Sequence, residues 1–172
     1  MPSRAYGVGM ANRRLGREFF ERDPRVVARA LLGQRLVRHH GGAIMTGLIV
    51  ETEAYLGVRD RAAHTFGGRR TPRNASMWLR GGHAYVYQIY GLHFCMNVVA
   101  GAAESPVAVL VRALEPELGT EAMRGRRPAA RRTVDLCSGP GKLCAALDIN
   151  RDLDGADLTL DPTLYILSLI HI

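Results

Sequence analysis

Long apolar segments are missing from nearly all of this 172-residue sequence. The N-terminal stretch MPSRAYGVGMANRRLGREFF has no apolar core of the kind that a secretory signal peptide requires. No stretch before the last dozen residues approaches the length of a membrane span. These absences argue against export and against membrane association, and they predict a cytoplasmic protein.

Cysteine is scarce, and its positions lack the spacing of a metal site. Cys95, Cys137 and Cys144 are odd in number, which does not suit a disulfide framework. The last two are also too far apart for the tight pairs that bind zinc. We therefore expect reduced, buried thiols and no metal or other cofactor.

Lysine is almost absent, because Lys142 is the only lysine among 23 basic residues and the remainder are arginines. Arginine is the better bidentate ligand for phosphate, but a GC-rich genome would favour its codons whatever the protein does. The net charge of +7 and the isoelectric point of about 9.9 carry more weight. They fit an anionic partner such as nucleic acid.

The length and the 47% of hydrophobic residues suit one domain with one real core. The segment DPRVVARALLG predicts a helix, with Asp23 as its N-cap, an apolar stripe through Val26, Val27, Ala30 and Leu31, and Gly33 as its stop. Two hairpins are predicted around Gly41-Gly42 and around Gly91. The apolar run SPVAVLVRALEP predicts a fully buried central strand, and a further helix follows Ser138. Strands and helices that do not strictly alternate indicate an α+β fold.

Three polar residues in VETEAYLG lie on one face of a predicted strand. The period of two places Glu51, Glu53 and Tyr55 together, with the two carboxylates about 7 Å apart. Arg112 is the one charged residue within the apolar run PVAVLVRAL of the central strand, so it must be buried against an acceptor or placed at a site. Pairing it with Glu51 or Glu53 would hold an ionised general base in place. A structural ion pair explains the same pattern, and parity alone favours it.

The segment AYVYQIYGLHFCMN holds three of the six tyrosines. Tyr85 and Tyr87 share a strand face, whereas Tyr90 breaks the alternation just before Gly91 and is predicted at a hairpin tip. An exposed aromatic residue at such a tip suits a wedge that enters a stacked duplex, with the other tyrosines receiving a displaced base. The alternative is a cross-strand aromatic ladder, which we favour for Tyr85 but less for Tyr90.

Two glycine-containing loops carry groups that can bind phosphate. In TFGGRRTPRN, which follows His64, guanidinium, hydroxyl and amide groups cluster near a short helix start, and CSGPGKL offers Ser138 as an N-cap beside Lys142. Neither loop has P-loop spacing, so nucleotide hydrolysis has no support. The basic run 124–132, RGRRPAARR, is interpreted as a solvated loop or, equally, as a clamp for DNA.

Six segments carry a resemblance to a known family. They are VARALLGQRLV, IVETEAYLG, AAHTFGGRRTPRN, YVYQIYGLHFCMN, VLVRALEP and DLCSGPGKLCAALDIN, in that order between about Leu15 and Asp157. Together they resemble the alkyladenine, or 3-methyladenine, DNA glycosylase family, which excises alkylated and deaminated purines. The resemblance implies a single α+β domain with a curved, mostly antiparallel sheet and surrounding helices. It also implies a partner, double-stranded DNA that contains damaged purines.

The resemblance implies a role for each matched residue. Glu53 corresponds to the general base that activates water, and Arg112 helps to hold that site. The residues around the flipped base are Tyr55, His64, Tyr87 and Asn97, of which Asn97 opposes the exocyclic amine of normal guanine. Tyr90 fills the gap left in the duplex. The predicted contacts to the DNA backbone are Arg69, Thr71, Arg73, Ser138 and Lys142.

We therefore expect a DNA glycosylase of base excision repair that acts on the 3-methyladenine, 7-methylguanine and hypoxanthine class and leaves an abasic site. With Lys142 as the only lysine, placed on a DNA-contacting loop, we expect no lyase activity. We also expect a monomer associated with the nucleoid. The alternative function is a non-catalytic module that binds damaged DNA or RNA.

The chain ends differ from the family pattern. We expect residues 1–14 to be flexible, residues 15–160 to form the glycosylase domain, and residues 161–172 to be an atypical apolar tail. The sequence DPTLYILSLIHI matches nothing expected there, so a truncated or altered end is our first interpretation. Its apolar surface would then favour aggregation. A genuine short terminal strand is the alternative.

Overall fold

The computed structural model describes residues 13–169, which contain one antiparallel sheet with helices packed against it. The strands are β1 (Arg13–Arg14), β2 (Arg35–His40), β3 (Ala43–Tyr55), β4 (Ala84–Ile89), β5 (His93–Ala100), β6 (Val107–Pro116) and β7 (Leu164–Ser168). The α-helices are α1 (Arg17–Phe20), α2 (Pro24–Leu31), α3 (Thr120–Arg126) and α4 (Pro140–Leu147). Short 3-10 helices cover Gly57–Arg59, Phe66–Gly68, Pro72–Trp78, Thr133–Asp135 and Arg151–Leu153.

The strand order in the sheet is β1-β7-β2-β3-β6-β5-β4, and every pairing is antiparallel. This confirms the predicted single α+β domain with a curved antiparallel sheet. Both predicted hairpins are present as β2–β3 and β4–β5, and β6 is central as expected. No helix in the described part of the chain is long and apolar enough to cross a membrane.

Helix α2 forms for the reasons that its sequence suggests. The Asp23 side chain accepts a hydrogen bond from the Arg25 amide, and Pro24 occupies the first helical turn, where a missing N–H costs nothing. The buried stripe differs slightly from the prediction, because Ala28 is buried while Val26 is 43% exposed. The helix ends at Leu31, and Gly33 follows with φ of 82°.

The strand alternation divides the molecule into two apolar layers. One layer packs the helices against the sheet through side chains such as Val86, Met96 and Val109. The residues of opposite parity, among them Tyr87, Cys95 and Leu110, form a smaller cluster on the other face. The irregular segment 57–80 contributes Met77 to this second cluster. The candidate site lies on this second face.

The end of the chain corrects an expectation. Instead of an exposed apolar tail, residues 164–168 form β7, which pairs with both β1 and β2. Leu164 and Ile166 are fully buried in the main core, so the described part of the tail does not expose the apolar surface that we expected. At the other end, the predicted flexible segment 1–14 lies outside the described residues except for Arg13–Arg14, which form β1.

Candidate active site

Glu51, Arg112 and Glu53 form an ion-pair cluster across β3 and β6. The Arg112 Nε donates to Glu51 Oε1 at 3.0 Å, and its Nη1 donates to Glu53 Oε2 at 2.6 Å. The hydrogen bond to Glu51, together with the charge of both carboxylates, raises the pKa of Arg112. The sequence predicted that Arg112 pairs with one of the two acids, and in the structure it pairs with both Glu51 and Glu53. The Arg112 side chain is 37% exposed, so of the two alternatives, burial against an acceptor and placement at a site, the structure does not show burial.

Next to this cluster, a cleft opens between the sheet and the segment 57–80. Its space, counted together with the open solvent at its entrance, is about 240 Å³. Its lining residues are Tyr55, Ala62, Ala63, His64, Met77, Tyr85, Tyr87 and Asn97. All four residues that the sequence assigned to a base pocket are therefore together. Tyr55 connects the cleft to the ion-pair cluster: burial, followed by the charge of Glu53, raises its pKa to about 12.

The aromatic rings at the back of the cleft are held by their mutual contacts. The His64 ring meets the Tyr87 ring edge-on, with centroids 4.5 Å apart, and Tyr85 lies 5.3 Å from Tyr87. His64 Nδ1 and the Tyr85 hydroxyl oxygen are 2.8 Å apart, within hydrogen-bonding distance. His64 keeps an exposed edge, but the loss of hydration and the nearby charge of Arg73 lower its pKa. The imidazole is therefore neutral near pH 7.

Tyr85 is a site residue that the sequence interpretation assigned to a structural ladder. It is 1% exposed, it lines the cleft, and it holds His64 from the strand behind it. Its shared parity with Tyr87 was the available signal, since side chains two residues apart on a strand face the same way. The contact with His64 joins residues 21 positions apart and could not be read from local pattern.

Asn97 closes the inner end of the cleft. It lies on β5, it is 1% exposed, and its Nδ2 donates to the Tyr85 carbonyl at 3.3 Å. Burial of an amide is costly unless it is hydrogen-bonded, so this contact both satisfies the group and sets the direction of the side chain.

Tyr90 stands at the tip of the β4–β5 hairpin, as predicted. It is 90% exposed and has φ of 53°, a left-handed conformation that is unfavourable for a bulky residue. Leu92, two residues later, is 78% exposed. Two large apolar side chains thus project from one turn, and neither makes the contacts that would justify its position in a core.

The tip lies beside the start of α4. A side chain at Gly141 would come within 3.2 Å of His93, which shows how closely the hairpin and the helix approach. Lys142 Nζ is 3.4 Å from Ser138 Oγ, and both residues are exposed. The predicted N-cap at Ser138 is wrong: Gly139 occupies that position, because Pro140 begins the helix. The turn that carries Tyr90 and the start of α4 nevertheless lie side by side.

In the predicted phosphate-binding loop TFGGRRTPRN, some of the polar side chains make hydrogen bonds within the protein. Thr71 accepts a hydrogen bond from the Asn74 amide and caps the 3-10 helix Pro72–Trp78. Arg73 donates to the Gln88 carbonyl and lies 5.9 Å from the Tyr87 ring. Arg69 is exposed and lines an outer cleft of about 850 Å³, together with Arg61, Arg73 and one side of His64. This outer cleft is positively charged and shares a wall with the inner one.

Part of the basic run 124–132 turns inward. Arg126 donates to the carbonyls of Ala122 and Ala146, and Arg127 donates to that of Leu136. The interpretation as a wholly solvated loop is therefore wrong for these two residues, which fasten α3 to its neighbours.

All three cysteines are buried and free. Within residues 13–169, no group of three or more His, Cys, Asp or Glu residues could hold a metal ion.

Comparison with known proteins gives consistent matches. Residues 18–171 match the family model described as Methylpurine-DNA glycosylase (MPG). The chain is 48% identical over 162 residues to a human protein named DNA-3-methyladenine glycosylase. That match covers 89% of this chain and 54% of the human one. It is 47% identical over 153 residues to a Desulfitobacterium hafniense (strain Y51) protein whose name assigns it provisionally to the 3-methyladenine DNA glycosylases. That match covers 85% of this chain and 75% of the bacterial one.

Proposed function

Because this chain belongs to the methylpurine-DNA glycosylase family, we propose that it flips damaged purines out of duplex DNA and hydrolyses their glycosidic bond. The substrates are alkylated and deaminated purines of the 3-methyladenine, 7-methylguanine and hypoxanthine class, and the product is an abasic site in base excision repair. One observation carries the proposal: the Glu53–Arg112 pair lies beside Tyr55, which lines the aromatic cleft. The enzyme acts as a monomer.

Glu53 is the general base. The hydrogen bond from Arg112 holds Oε2 in place and leaves Oε1 without a bond to the guanidinium. The carboxylate takes a proton from water while the water oxygen forms a bond to the anomeric carbon. The bond between the sugar carbon and the purine nitrogen breaks, and its electron pair leaves with the base.

The aromatic cleft favours purines that carry positive charge. Alkylation at N3 or N7 makes the base cationic, and the faces of Tyr55 and Tyr87 attract a cation by about 0.5–2 kcal/mol. The pKa of Tyr55, about 12, keeps its phenol neutral at physiological pH. The same positive charge makes the purine a good leaving group, so binding and bond cleavage both favour the alkylated base.

Selection against normal bases comes from the inner end of the cleft. Asn97, directed by its bond to the Tyr85 carbonyl, opposes the exocyclic amine of guanine. His64 is neutral, so it adds no charge that would repel a cationic base. Damaged or mispaired bases also unstack at lower cost, which adds selectivity before the cleft is reached.

Tyr90 enters the duplex and occupies the space of the flipped nucleotide. Its 90% exposure leaves the ring free to stack between bases, and the left-handed backbone at the turn projects it outward. Arg69, Thr71, Arg73, Ser138 and Lys142 contact the phosphates on either side. The net charge of +7 supplies the sequence-independent attraction that allows the protein to search DNA.

The enzyme has no lyase activity. A glycosylase that also cuts the strand uses an amine to form a Schiff base with the sugar. Lys142 is the only lysine, and in the structure its amine lies near Ser138 rather than among the residues that line the cleft. Treatment with borohydride during the reaction should therefore trap no covalent adduct with DNA.

The test is identification of the products from duplex oligonucleotides that each contain one hypoxanthine, 7-methylguanine or 3-methyladenine. We expect the free base, detected by mass spectrometry, together with a strand that breaks only after alkali treatment. A matched duplex with guanine or adenine at the same position should release nothing. Binding of the damaged duplex without release of any base would contradict the proposal and support the non-catalytic alternative.

A further inference from the structure

Arg112 divides its hydrogen bonds between two acids, and only one of them has a chemical role so far. Nη1 reaches Glu53 Oε2 at 2.6 Å, while Nε reaches Glu51 Oε1 at 3.0 Å. The guanidinium is planar and rigid, so a bond that fixes Nε also fixes the direction in which Nη1 points. Glu51 therefore determines where Arg112 presents its donor to Glu53.

This second anchor matters because the cluster is partly in solvent. The side chain of Arg112 is 37% exposed and that of Glu53 is 42% exposed. A long arginine side chain at such a position loses rotamer freedom when it makes an ion pair, and an isolated surface pair is worth little. With Glu51 already holding the guanidinium, its contact with Glu53 requires less further ordering.

The backbone is irregular at this residue. The pairing of β3 with β6 shifts register on both sides of Glu51, between Ile49 and Glu51 and again between Glu51 and Thr52. Such irregularities re-aim side chains and occur frequently beside active sites. Here the irregularity accompanies an arrangement in which Glu51 and Glu53 both reach Arg112, one from each end of its guanidinium.

Both acids share one guanidinium, and the three groups together carry a charge of −1. From the shared contacts and the irregular backbone, we infer that Glu51 is a positioning residue that orients Arg112 toward Glu53. This inference rests on the proposed function, in which Glu53 is the base.

Two substitutions separate orientation from charge. Glu51→Gln keeps an oxygen that can accept from Arg112 Nε but removes the charge, whereas Glu51→Ala removes both. In Glu51→Gln the guanidinium should keep its direction. In Glu51→Ala, Arg112 Nε loses its acceptor, so the direction of Nη1 toward Glu53 is no longer fixed.

The measurement is the NMR signal of the Arg112 Nε–H in the parent and in the variants. A hydrogen-bonded Nε–H exchanges slowly with water, so we expect the signal in the parent and in Glu51→Gln and its loss in Glu51→Ala. Glu21→Ala is the matched control, because Glu21 also pairs with an arginine, Arg80, at the end of α1, and it should leave the Arg112 signal unchanged. If Glu51→Ala also leaves the signal unchanged, Glu51 is an ordinary surface partner of Arg112 and the inference is wrong.

Single-turnover base release provides the second readout. In Glu51→Gln, the maximal rate should stay within about twofold of the parent, because an acceptor for Arg112 Nε remains. In Glu51→Ala, the maximal rate should fall about tenfold or more, because Arg112 is no longer directed at Glu53. Equal maximal rates in the two variants would contradict the orienting role. The NMR signal needs no catalysis, so absence of base release in the parent would contradict the proposed function and not this inference.

Discussion

Replacement of Tyr90 with glycine should separate the stability of the hairpin from its action on DNA. The ring is 90% exposed, so its removal loses almost no packing. A non-glycine residue in the left-handed region costs about 1–2 kcal/mol, which glycine avoids. Glycine also raises the entropy of the unfolded chain, at a cost of about 0.4–1 kcal/mol. The free energy of unfolding should therefore be unchanged or rise by up to about 1.5 kcal/mol, which is at most about 6 °C in Tm.

Base excision from duplex DNA should respond in the opposite way. Partial unstacking of one base step costs a few kcal/mol, and an intercalated ring recovers part of it. A loss of only 1.4 kcal/mol of that compensation is about tenfold in rate, so we expect at least about a tenfold decrease for Tyr90→Gly. A damaged base in single-stranded DNA leaves no gap in a duplex, and its release should decrease much less.

The assay is single-turnover release of the base from the same oligonucleotide, as a duplex and as a single strand, together with thermal unfolding. Leu160→Ala serves as the control, because Leu160 is an apolar residue that is 76% exposed and lies outside the site. The account requires the ratio of duplex to single-strand rates to decrease in Tyr90→Gly alone. An equal loss on both substrates, or a Tm lowered well beyond the expected range, would refute a wedge and indicate damage to the cleft.

Three further predictions follow from the same structure. Ile166→Ala should lower the free energy of unfolding in denaturant by about 2–5 kcal/mol, because Ile166 is fully buried on β7, whereas Leu167→Ala, at a partly exposed position, should cost much less. Arg73→Ala should raise the pKa of His64 in an imidazole NMR titration, because burial and the positive charge of Arg73 both lower that pKa and the substitution removes the charge and part of the burial. An unchanged or lower pKa of His64 would show that Arg73 does not contribute to the shift. Lys142→Ala should reduce the salt dependence of duplex binding by about one phosphate contact while leaving Tm unchanged, and an unaltered slope would remove Lys142 from the interface.

Local signals in the sequence predicted the elements whose causes are themselves local. Asp23 and Pro24 define the start of α2 through bonds made within three residues. The position of Tyr90 at a hairpin tip followed from a break in alternation and the adjacent Gly91. In each case the residues that determine the structure are neighbours in the chain, so their pattern carries the information.

The features that the sequence did not predict depend on partners far away in the chain. The exposure of Arg112 follows from the position of β6 opposite the irregular part of β3, which strand parity does not reveal. Tyr85 belongs to the site because the segment that carries His64 packs against β4, and this contact joins residues far apart in the chain. The apolar end of the chain forms a strand because β2 offers Leu36 and its neighbours as partners for Ile166. The family resemblance, rather than periodicity, supplied most of the site assignments.

In the proposed mechanism, the Glu53 carboxylate activates the hydrolytic water. The decisive measurement is single-turnover release of hypoxanthine from a duplex, with the parent chain compared with Glu53→Gln at matched occupancy of the DNA. Glutamine retains the size of the side chain and an acceptor for Arg112 but cannot act as the base. We expect a loss of at least about 100-fold in the rate with unchanged affinity for the duplex. A rate within a fewfold of the parent, at equal occupancy, would show that Glu53 is not the base.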